Sequence, residues 1–572
     1  MQIRIEDMTQ EGAGLGKDNG LAIFVRGAVL GDLVECEITK VKKNYAFGKL
    51  TEIIEPSPDR IEPECEYTGL CGGCQLNSLD YEAQLYLKEK QVRDKLTRLG
   101  GLENPKVNPT VGMENPYRYR NKATMPVWTG GIITRKGGIV ENLGEPSVGF
   151  YRGKSHNVVD CYDCLLQSEP AMAAAEALRQ FMAEDNITAY DPKWDKGLLR
   201  HLIVKTARGT GEVMVILVIN GKGIPNAQKL IEMLDDYIYN LPITEDGVAY
   251  SLESVILNVN KTGKDIMTDE CITLAGKPTI LEEVGGLNFE ISPLSFYQVN
   301  PVQMEKLYGK AMEYADFEGD ETVLDLYCGV GTIGIFAMQA GAGRVIGIES
   351  VKGAVIDANR NSVINGIVKS RYVCGRAEEE LPKLISGEEL KDEDLKIDSA
   401  DVVFLDPPRA GCDQRLLDAV VSVEPSKIVY ISCDPATLAR DIKYLGEKGY
   451  RFEEATPVDM FPWTVHVETV CLLGRKIVND KNVEYAHVDY EPKDAEYLKS
   501  AKGSASYREI KEWIKEQHDV SVSNLYIAQV KDKLGFGKRE NYNKGADGHR
   551  VPNCPAEKEK LILEAFKHFR MI

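Results

Sequence analysis

The stretch Val323–Gly334, VLDLYCGVGTIG, constrains this chain more than any other. A short apolar run delivers Asp325, and Gly329, Gly331 and Gly334 follow at the spacing that lets a backbone turn tightly beside a bound nucleotide and open a helix. Strand, glycine turn and helix in that order predict a Rossmann-like α/β domain with a parallel sheet. A dinucleotide fingerprint puts its first glycine directly at the strand end. Here Asp325 precedes Gly329 by four positions, a phase that suits S-adenosylmethionine better than NAD.

Other strand ends belong with it. DVVFLDPPR (401–409) delivers Asp406 and then two prolines that fix a rigid turn, and VYISCDPATLARD (429–441) delivers Cys433 just before a helix. Ligands bind outside the carboxyl ends of strands in an open parallel sheet, so Asp325, Asp406 and Cys433 are expected to converge. RVIGIES ends at Glu349, where an acid can accept from ribose hydroxyls. ISPLSFYQVNP offers Phe296, Tyr297, Gln298 and Asn300 where this domain begins.

Upstream, residues 1–56 alternate β-rich runs with glycine turns, which predicts a small OB-type β-barrel. Lys40, Lys42, Lys43, Asn44, Tyr45 and Phe47 mix cations with aromatics, so the barrel is either an oligonucleotide-binding surface or a structural cap with a solvated charge run. CEYTGLCGGCQ places Cys65, Cys71 and Cys74 around two glycines, and DCYDCLLQ supplies Cys161 or Cys164 as a fourth thiolate. Four thiolates suit an iron–sulfur cluster or zinc. YRYRNK (117–122) packs Arg118, Arg120 and Lys122 between tyrosines, as either a phosphate-contacting, base-stacking segment or a basic edge strand. The chain then alternates strand and helix runs to about 290, a mixed α/β domain.

At 572 residues and 43% hydrophobic, the chain has room for three or four domains. No run is long enough to span a membrane, MQIRIEDMTQ lacks signal-peptide character, and 13 cysteines fit a reducing compartment, so a cytoplasmic protein without a membrane partner is expected. A formal charge of −19 argues against broad nonspecific nucleic-acid adhesion. The tail from 490 to 572 departs from this balance. Lys and Arg outnumber Asp and Glu there, and it reads as three helices, with Ser521 or Ser523 as a cap between the first two. It is either an RNA-binding helical module or a cap for dimerisation or stability.

Taken together, CxxxxxCGGCQ, SFYQVNP, DLYCGVGTIG, DPPR, SCDPATLARD and DMFPWTVHVE resemble the RNA uracil-5-methyltransferases, specifically the 23S rRNA (uracil-5-)-methyltransferases with a TRAM domain and an iron–sulfur cluster. The resemblance covers residues 1 to about 475. It implies a TRAM barrel (1–56), a central α/β domain with the cluster (57–78 and 111–290) and an S-adenosylmethionine-dependent catalytic domain (79–110 and 291–476), with the helical tail outside the shared pattern. Cys65, Cys71, Cys74 and Cys164 would hold a [4Fe-4S] cluster, with Cys161 as the substitute for the last. Gln298, Tyr327, Glu349 and Asp406, with Asp325, Gly329 and Gly331, would line the S-adenosylmethionine pocket. Cys433 would be the nucleophile toward uracil C6 and Glu468 the base for the C5 proton. Arg118, Arg120, Lys122 and Phe296 are expected to contact RNA. The implied substrate is 23S rRNA, acted on by a monomer with no DNA partner. The alternatives are the same chemistry on tRNA, an amino-methyltransferase, which Cys433 and Arg409 in DPPR disfavour, and a non-catalytic RNA-binding assembly factor.

Overall fold

Alternating inward apolar residues close the first strands on themselves. β1 (Gln2–Met8), β2 (Ala13–Asp18), β3 (Leu21–Arg26), β4 (Leu33–Val41) and β5 (Tyr45–Glu55) form a closed barrel in the order β1-β2-β3-β5-β4. Ile3, Ile5, Ile23, Val25, Val34, Cys36 and Ala46 fill it. A side chain at position 16 would overlap that of Ile3, so the wall closes there only with glycine. Tyr45 and Phe47 stay outside, 37% and 40% exposed, with their rings edge to face at 5.5 Å. The computed structural model describes residues 1–476 except 131, 136–137, 142–144, 245 and 388–394, and beyond them 507–520, 555–569 and isolated positions between 522 and 533.

After the barrel comes α1 (Tyr81–Arg98), started by the Asp80 side chain, which accepts from the Glu82 amide at 3.0 Å. Next are β6 (Lys122–Thr129), β7 (Ile132–Arg135), β8 (Gly138–Glu141), β9 (Pro146–Tyr151), β10 (Val158–Asp160), β11 (Leu199–Thr206), β12 (Glu212–Ile219), β13 (Ser251–Val259) and β14 (Cys271–Gly276). They build one nine-stranded sheet ordered β14-β13-β12-β11-β6-β9-β10-β7-β8. α2 (Glu169–Glu184) and α3 (Ala227–Tyr239) are followed by the hairpin β15 (Ile280–Val284) and β16 (Leu287–Ile291). Ala171, Ala174, Ala175 and Ala177 let α2 lie close on the sheet, and its burial comes from Leu178, Phe181 and Met182.

α4 (Pro301–Ala315) has proline in its first turn and is capped by the Asn300 side chain. It leads into the α/β sheet, built in chain order from β17 (Thr322–Leu326), α5 (Thr332–Ala340), β18 (Arg344–Glu349), α6 (Lys352–Ile364), β19 (Ser370–Cys374) and α7 (Ala377–Ser386). β20 (Val402–Leu405), α8 (Gln414–Ser422), β21 (Lys427–Ser432), α9 (Pro435–Glu447), β22 (Tyr450–Val458) and β23 (Glu468–Arg475) complete it. The strand order is β19-β18-β17-β20-β21-β23-β22, parallel as far as β21 and antiparallel for the last two strands. The order reverses between β17 and β20, and a crevice for a ligand opens at such a switch point. That places the strand-end residues Asp325 and Asp406 on either side of the crevice.

The chain divides into two units, Met1–Ile477 and Val478–Ile572. In the second, α10 (Tyr507–His518) and α11 (Ala556–His568) pack through Ile510, Ile514, Ile562, Ala565 and Phe566. The helix expected between them and its Ser521 or Ser523 cap lie mostly outside the described residues. No helix among the described residues is long and apolar enough to cross a membrane.

Candidate active site

Asp325 is fully buried at the end of β17 and accepts the Gly334 amide through Oδ2 at 2.8 Å. Its other oxygen, Oδ1, is buried with no partner in the protein. Burial, together with the Asp406 and Glu349 charges, pushes this carboxyl up to about 7. Gly329 (φ 55°) and Gly331 (φ 80°) carry the turn above it, in backbone that favours glycine. Glu349 closes the far wall. One oxygen accepts the Gly329 amide at 3.1 Å and the other the Val351 amide at 2.8 Å, so it braces the turn from the end of β18. An unpaired buried carboxylate oxygen, a glycine cradle and a second acid at the neighbouring strand end fit S-adenosylmethionine.

The reacting groups stand one strand pair away. β21 and β23 run antiparallel with Ser432 opposite Thr469, and Cys433 and Glu468 come next on either side of that last pair. Cys433 precedes the Asp434 cap of α9, so it lies at the positive end of a helix. Burial and the Glu468 and Asp406 charges nevertheless push its thiol up to about 11, while Arg409 acts in the other direction. Glu468 is 5% exposed, and burial with Asp406 beside it holds its carboxyl well above the usual carboxylate range. Burial also raises Asp406, to about 7. The buried phenol of Tyr308, on α4, accepts or donates a hydrogen bond with the Gln298 side chain and feels Asp406, Asp325 and Glu468. The predicted residues Gln298, Asp325, Asp406, Cys433 and Glu468 therefore surround one crevice.

Residues 282–476 match the family model described as tRNA (Uracil-5-)-methyltransferase, and residues 1–51 match the TRAM domain. An RNA methyltransferase of Clostridium tetani, itself uncharacterised, is 43% identical over 470 residues, 82% of this chain and 95% of that one. Another from Caldanaerobacter subterraneus is 44% identical over 475 residues, covering 83% and 98%. The chain belongs to the RNA uracil-5-methyltransferase family. Its fold is similar to the crystal structure of Pyrococcus abyssi tRNA (uracil-54, C5)-methyltransferase with S-adenosyl-L-homocysteine, at TM-score 0.61 and 29% identity. That likeness covers 83% of this chain and all of the other.

In this methyltransferase the remaining predicted residues fall in two places. Phe296 is 66% exposed on the loop before α4, while Tyr327 is half-buried against the core beside Glu378, Cys412 and Asp413. Cys65, Cys71, Cys74, Cys161 and Cys164 line one cavity of about 340 Å³. Among the described residues no group of three or more His, Cys, Asp or Glu side chains is drawn together closely enough to hold a metal ion. Cys161 is buried, its thiol pushed up and directed to Cys164. Cys164 sits below the usual thiol range, first because the Cys161 thiol is directed to it and secondarily through the nearby Leu166 and Gln167 amides, while the Gln167 amide donates to its backbone carbonyl at 3.1 Å.

The basic side chains of YRYRNK, expected to contact RNA, also have neighbours within the protein. Arg118 is tied to the Cys164 and Gln167 carbonyls and to Asp163 at 2.7 Å. Arg120 and Lys122 line the cysteine cavity, with Arg120 Nε buried and unpartnered. Tyr117 stacks on Trp463 at 5.2 Å, and the Tyr119 hydroxyl donates to the Pro462 carbonyl at 3.1 Å. The segment joins the cysteine cavity to the loop that carries Glu468.

Sequence reading also passed over residues that shape the site. Arg409 is the cation nearest both Cys433 and Glu468, and His466 faces it from two positions before Glu468. The buried Lys205 donates to the Ser292 and Ser295 carbonyls at 2.7 and 3.0 Å, holding the loop that carries Phe296 and Gln298. Only the DPPR motif drew notice to Arg409. Nothing local marks Lys205, whose partners are nearly ninety residues downstream.

Proposed function

We propose that the protein methylates C5 of a uridine in 23S rRNA through a covalent Cys433–C6 adduct. The observation that carries this reading is the opposition of Cys433 and Glu468 beyond the Ser432–Thr469 pair, next to the crevice between β17 and β20. Uracil C5 is a weak nucleophile. Addition of the Cys433 thiolate to C6 makes an enolate whose C5 can attack a methyl group. Asp325, Glu349 and the Gly329–Gly331 turn would hold S-adenosylmethionine, which would offer that methyl as an electrophile. Glu468 then takes the C5 proton, the C6–S bond breaks, and the thiolate is restored. Burial and Asp406 raise the Glu468 carboxyl, so its ionised form is a stronger base toward the C5 proton than an exposed carboxylate would be. The base must leave its stack to reach Cys433, so the target lies in a loop or a remodelled strand.

Five cysteines around one cavity, with Arg120 and Lys122 to offset negative charge, support a multi-iron cluster held by Cys65, Cys71, Cys74 and Cys164. Its distance from the crevice in sequence and its link through Tyr117 and Trp463 support a structural role. The barrel and the cysteine set favour rRNA. The likeness to the Pyrococcus abyssi enzyme favours tRNA as a second reading. Mapping 5-methyluridine in rRNA and tRNA from a deletion strain tests both. Loss from 23S rRNA supports the first reading, and loss from tRNA alone replaces it with the second.

A further inference from the structure

Trp194 is 66% exposed, the largest aromatic side chain left so open among the described residues. It caps the loop between α2 and β11, and that loop is built to hold it out. Asp191 accepts the Lys193 amide at 2.8 Å and its carbonyl accepts from Trp194 and Lys196, while the Tyr190 hydroxyl donates to Asp195 at 2.9 Å. Below, the Arg200 guanidinium lies 3.6 Å from the Tyr190 ring centre and fixes the base of the loop. A tryptophan whose mounting is this fully hydrogen-bonded has paid its ordering cost before any partner arrives.

Two other loops leave the same end of the nine-stranded sheet. Leu199 pairs with Ile219, and Ile219 with Val259, so the 220–223 turn and the 260–266 loop rise beside the Trp194 loop. The Asn220 amide donates to the Leu198 carbonyl at 2.7 Å, and Gly263 packs against the Arg200 guanidinium. Together the three loops expose Lys193, Lys196, Lys222, Lys261 and Lys264 at this end of the sheet, with the Lys193 ammonium 5.2 Å from the indole ring. Among the described residues none of these lysines pairs with a carboxylate. The acids of these loops are Asp191, Asp195, Asp265, Asp269 and Glu270, of which Asp191 and Asp195 are engaged within their own loop. An exposed aromatic platform with unpaired lysines on its own loop and on two neighbouring loops has the chemistry of a single-stranded nucleic-acid contact: a base on the indole, phosphates on the lysines.

We propose that this end of the central sheet is a second RNA-binding site, in which Trp194 stacks a base remote from the target uridine. Along β11, Leu199 stands six residues from Lys205, the residue that holds the Ser292–Ser295 loop, which is about 20 Å at strand rise. The site therefore reads RNA several nucleotides away from the one that is methylated, and sets a minimum length for a good substrate. The inference rests on RNA being the substrate and is independent of Cys433 and of which RNA is methylated.

The test is binding of a fluorescent single-stranded oligoadenylate to the full-length protein. Trp194→Ala weakens binding by about tenfold, Trp194→Phe restores most of it, and Lys261→Glu with Lys264→Glu lowers the salt slope by about 1.4. A Cys433→Ala protein, unable to form the adduct, keeps the Trp194-dependent affinity and so separates this surface from the chemistry. Wild-type affinity and slope in the Trp194→Ala and lysine variants overturn the proposal. Protein capture that still depends on Trp194 after that result assigns the face to a protein instead.

Discussion

Lys88 and Asp459, 371 residues apart in the chain, form an ion pair at 2.5 Å with both side chains fully buried. Lys88 also donates to the Phe461 carbonyl at 3.2 Å, and Asp459 accepts the Phe461 amide. The pair locks α1 to the start of the loop that runs to Glu468. Trp463 on that loop, in left-handed backbone at φ 67°, is held from several sides. Its carbonyl accepts the Gln75 and Leu76 amides, its indole N–H donates to Pro116, and its own amide donates to Gln84. Removing one member leaves an uncompensated charge in the core. Lys88→Met is expected to cost on the order of 3–5 kcal/mol, and Lys88→Met with Asp459→Asn less than the two single changes added. Chemical denaturation of the four proteins in the cycle measures this.

The opposition of Cys433 and Glu468 separates the two halves of the reaction. Cys433→Ala abolishes both methylation and adduct formation. Glu468→Gln leaves the thiol free to add but removes the acceptor for the C5 proton, so the adduct cannot collapse. With ordinary uridine RNA and S-adenosylmethionine, Glu468→Gln should accumulate a protein–RNA species that survives a denaturing gel, while turnover falls by about 10²–10⁴. Equal gel mobility of protein with and without RNA would remove Glu468 from the mechanism.

Cys433 makes the site dependent on pH, and Arg409 shifts the range in which it does so. The Cys433 thiol titrates near 11, above its ordinary value, so only a small thiolate fraction exists at neutral pH. Below that value the fraction grows with pH, and single-turnover adduct formation on 5-fluorouridine RNA is expected to rise about tenfold per pH unit between roughly pH 7 and pH 9. Arg409 lowers both the Cys433 and Glu468 values. Arg409→Gln therefore moves the rate profile to higher pH and slows adduct formation at any fixed pH in that range. A flat profile in the wild type would show that the attacking thiolate is formed some other way.

The parts of this molecule that could be read from the sequence are those whose causes are local. A strand, a glycine turn and a helix sit within twelve residues, so Asp325, Gly329 and Gly331 could be placed together from spacing alone. Cys433 could likewise be placed at a strand end. The inward contacts of YRYRNK could not be read because its partners are distant. Tyr119 meets Pro462 across 343 residues, and nothing in six residues of arginine and tyrosine distinguishes an inward bridge from an outward basic edge. The Trp194 loop escaped notice for the complementary reason. Its lysines are scattered over three loops, and only the strand pairing of Leu199, Ile219 and Val259 gathers them.

The two cysteines of DCYDC are distinguished by what surrounds their sulfurs. Cys161 is 3% exposed, packed with Tyr67, Leu70, Val159 and Met172, and its carbonyl is held by Arg179 at 2.7 Å. Cys164 contacts both that apolar group and the one formed by Met113, Tyr119, Leu166 and Trp463, which also takes in Cys74. The Cys161 thiol directed to it, and then the nearby Leu166 and Gln167 amides, favour the Cys164 thiolate that a metal needs. Replacing Cys164 should therefore remove a ligand, whereas replacing Cys161 should remove packing. After anaerobic purification, Cys164→Ala is expected to lose most of its iron and acid-labile sulfide. Cys161→Ala should keep both while losing about 1–3 kcal/mol of stability from the vacated thiol. Iron retained in Cys164→Ala and lost in Cys161→Ala would exchange the two assignments. Because Cys164 also touches the Trp463 cluster, its replacement should loosen the loop before Glu468. Faster amide exchange at residues 459–466 in that variant would show the cavity and the base to be mechanically joined.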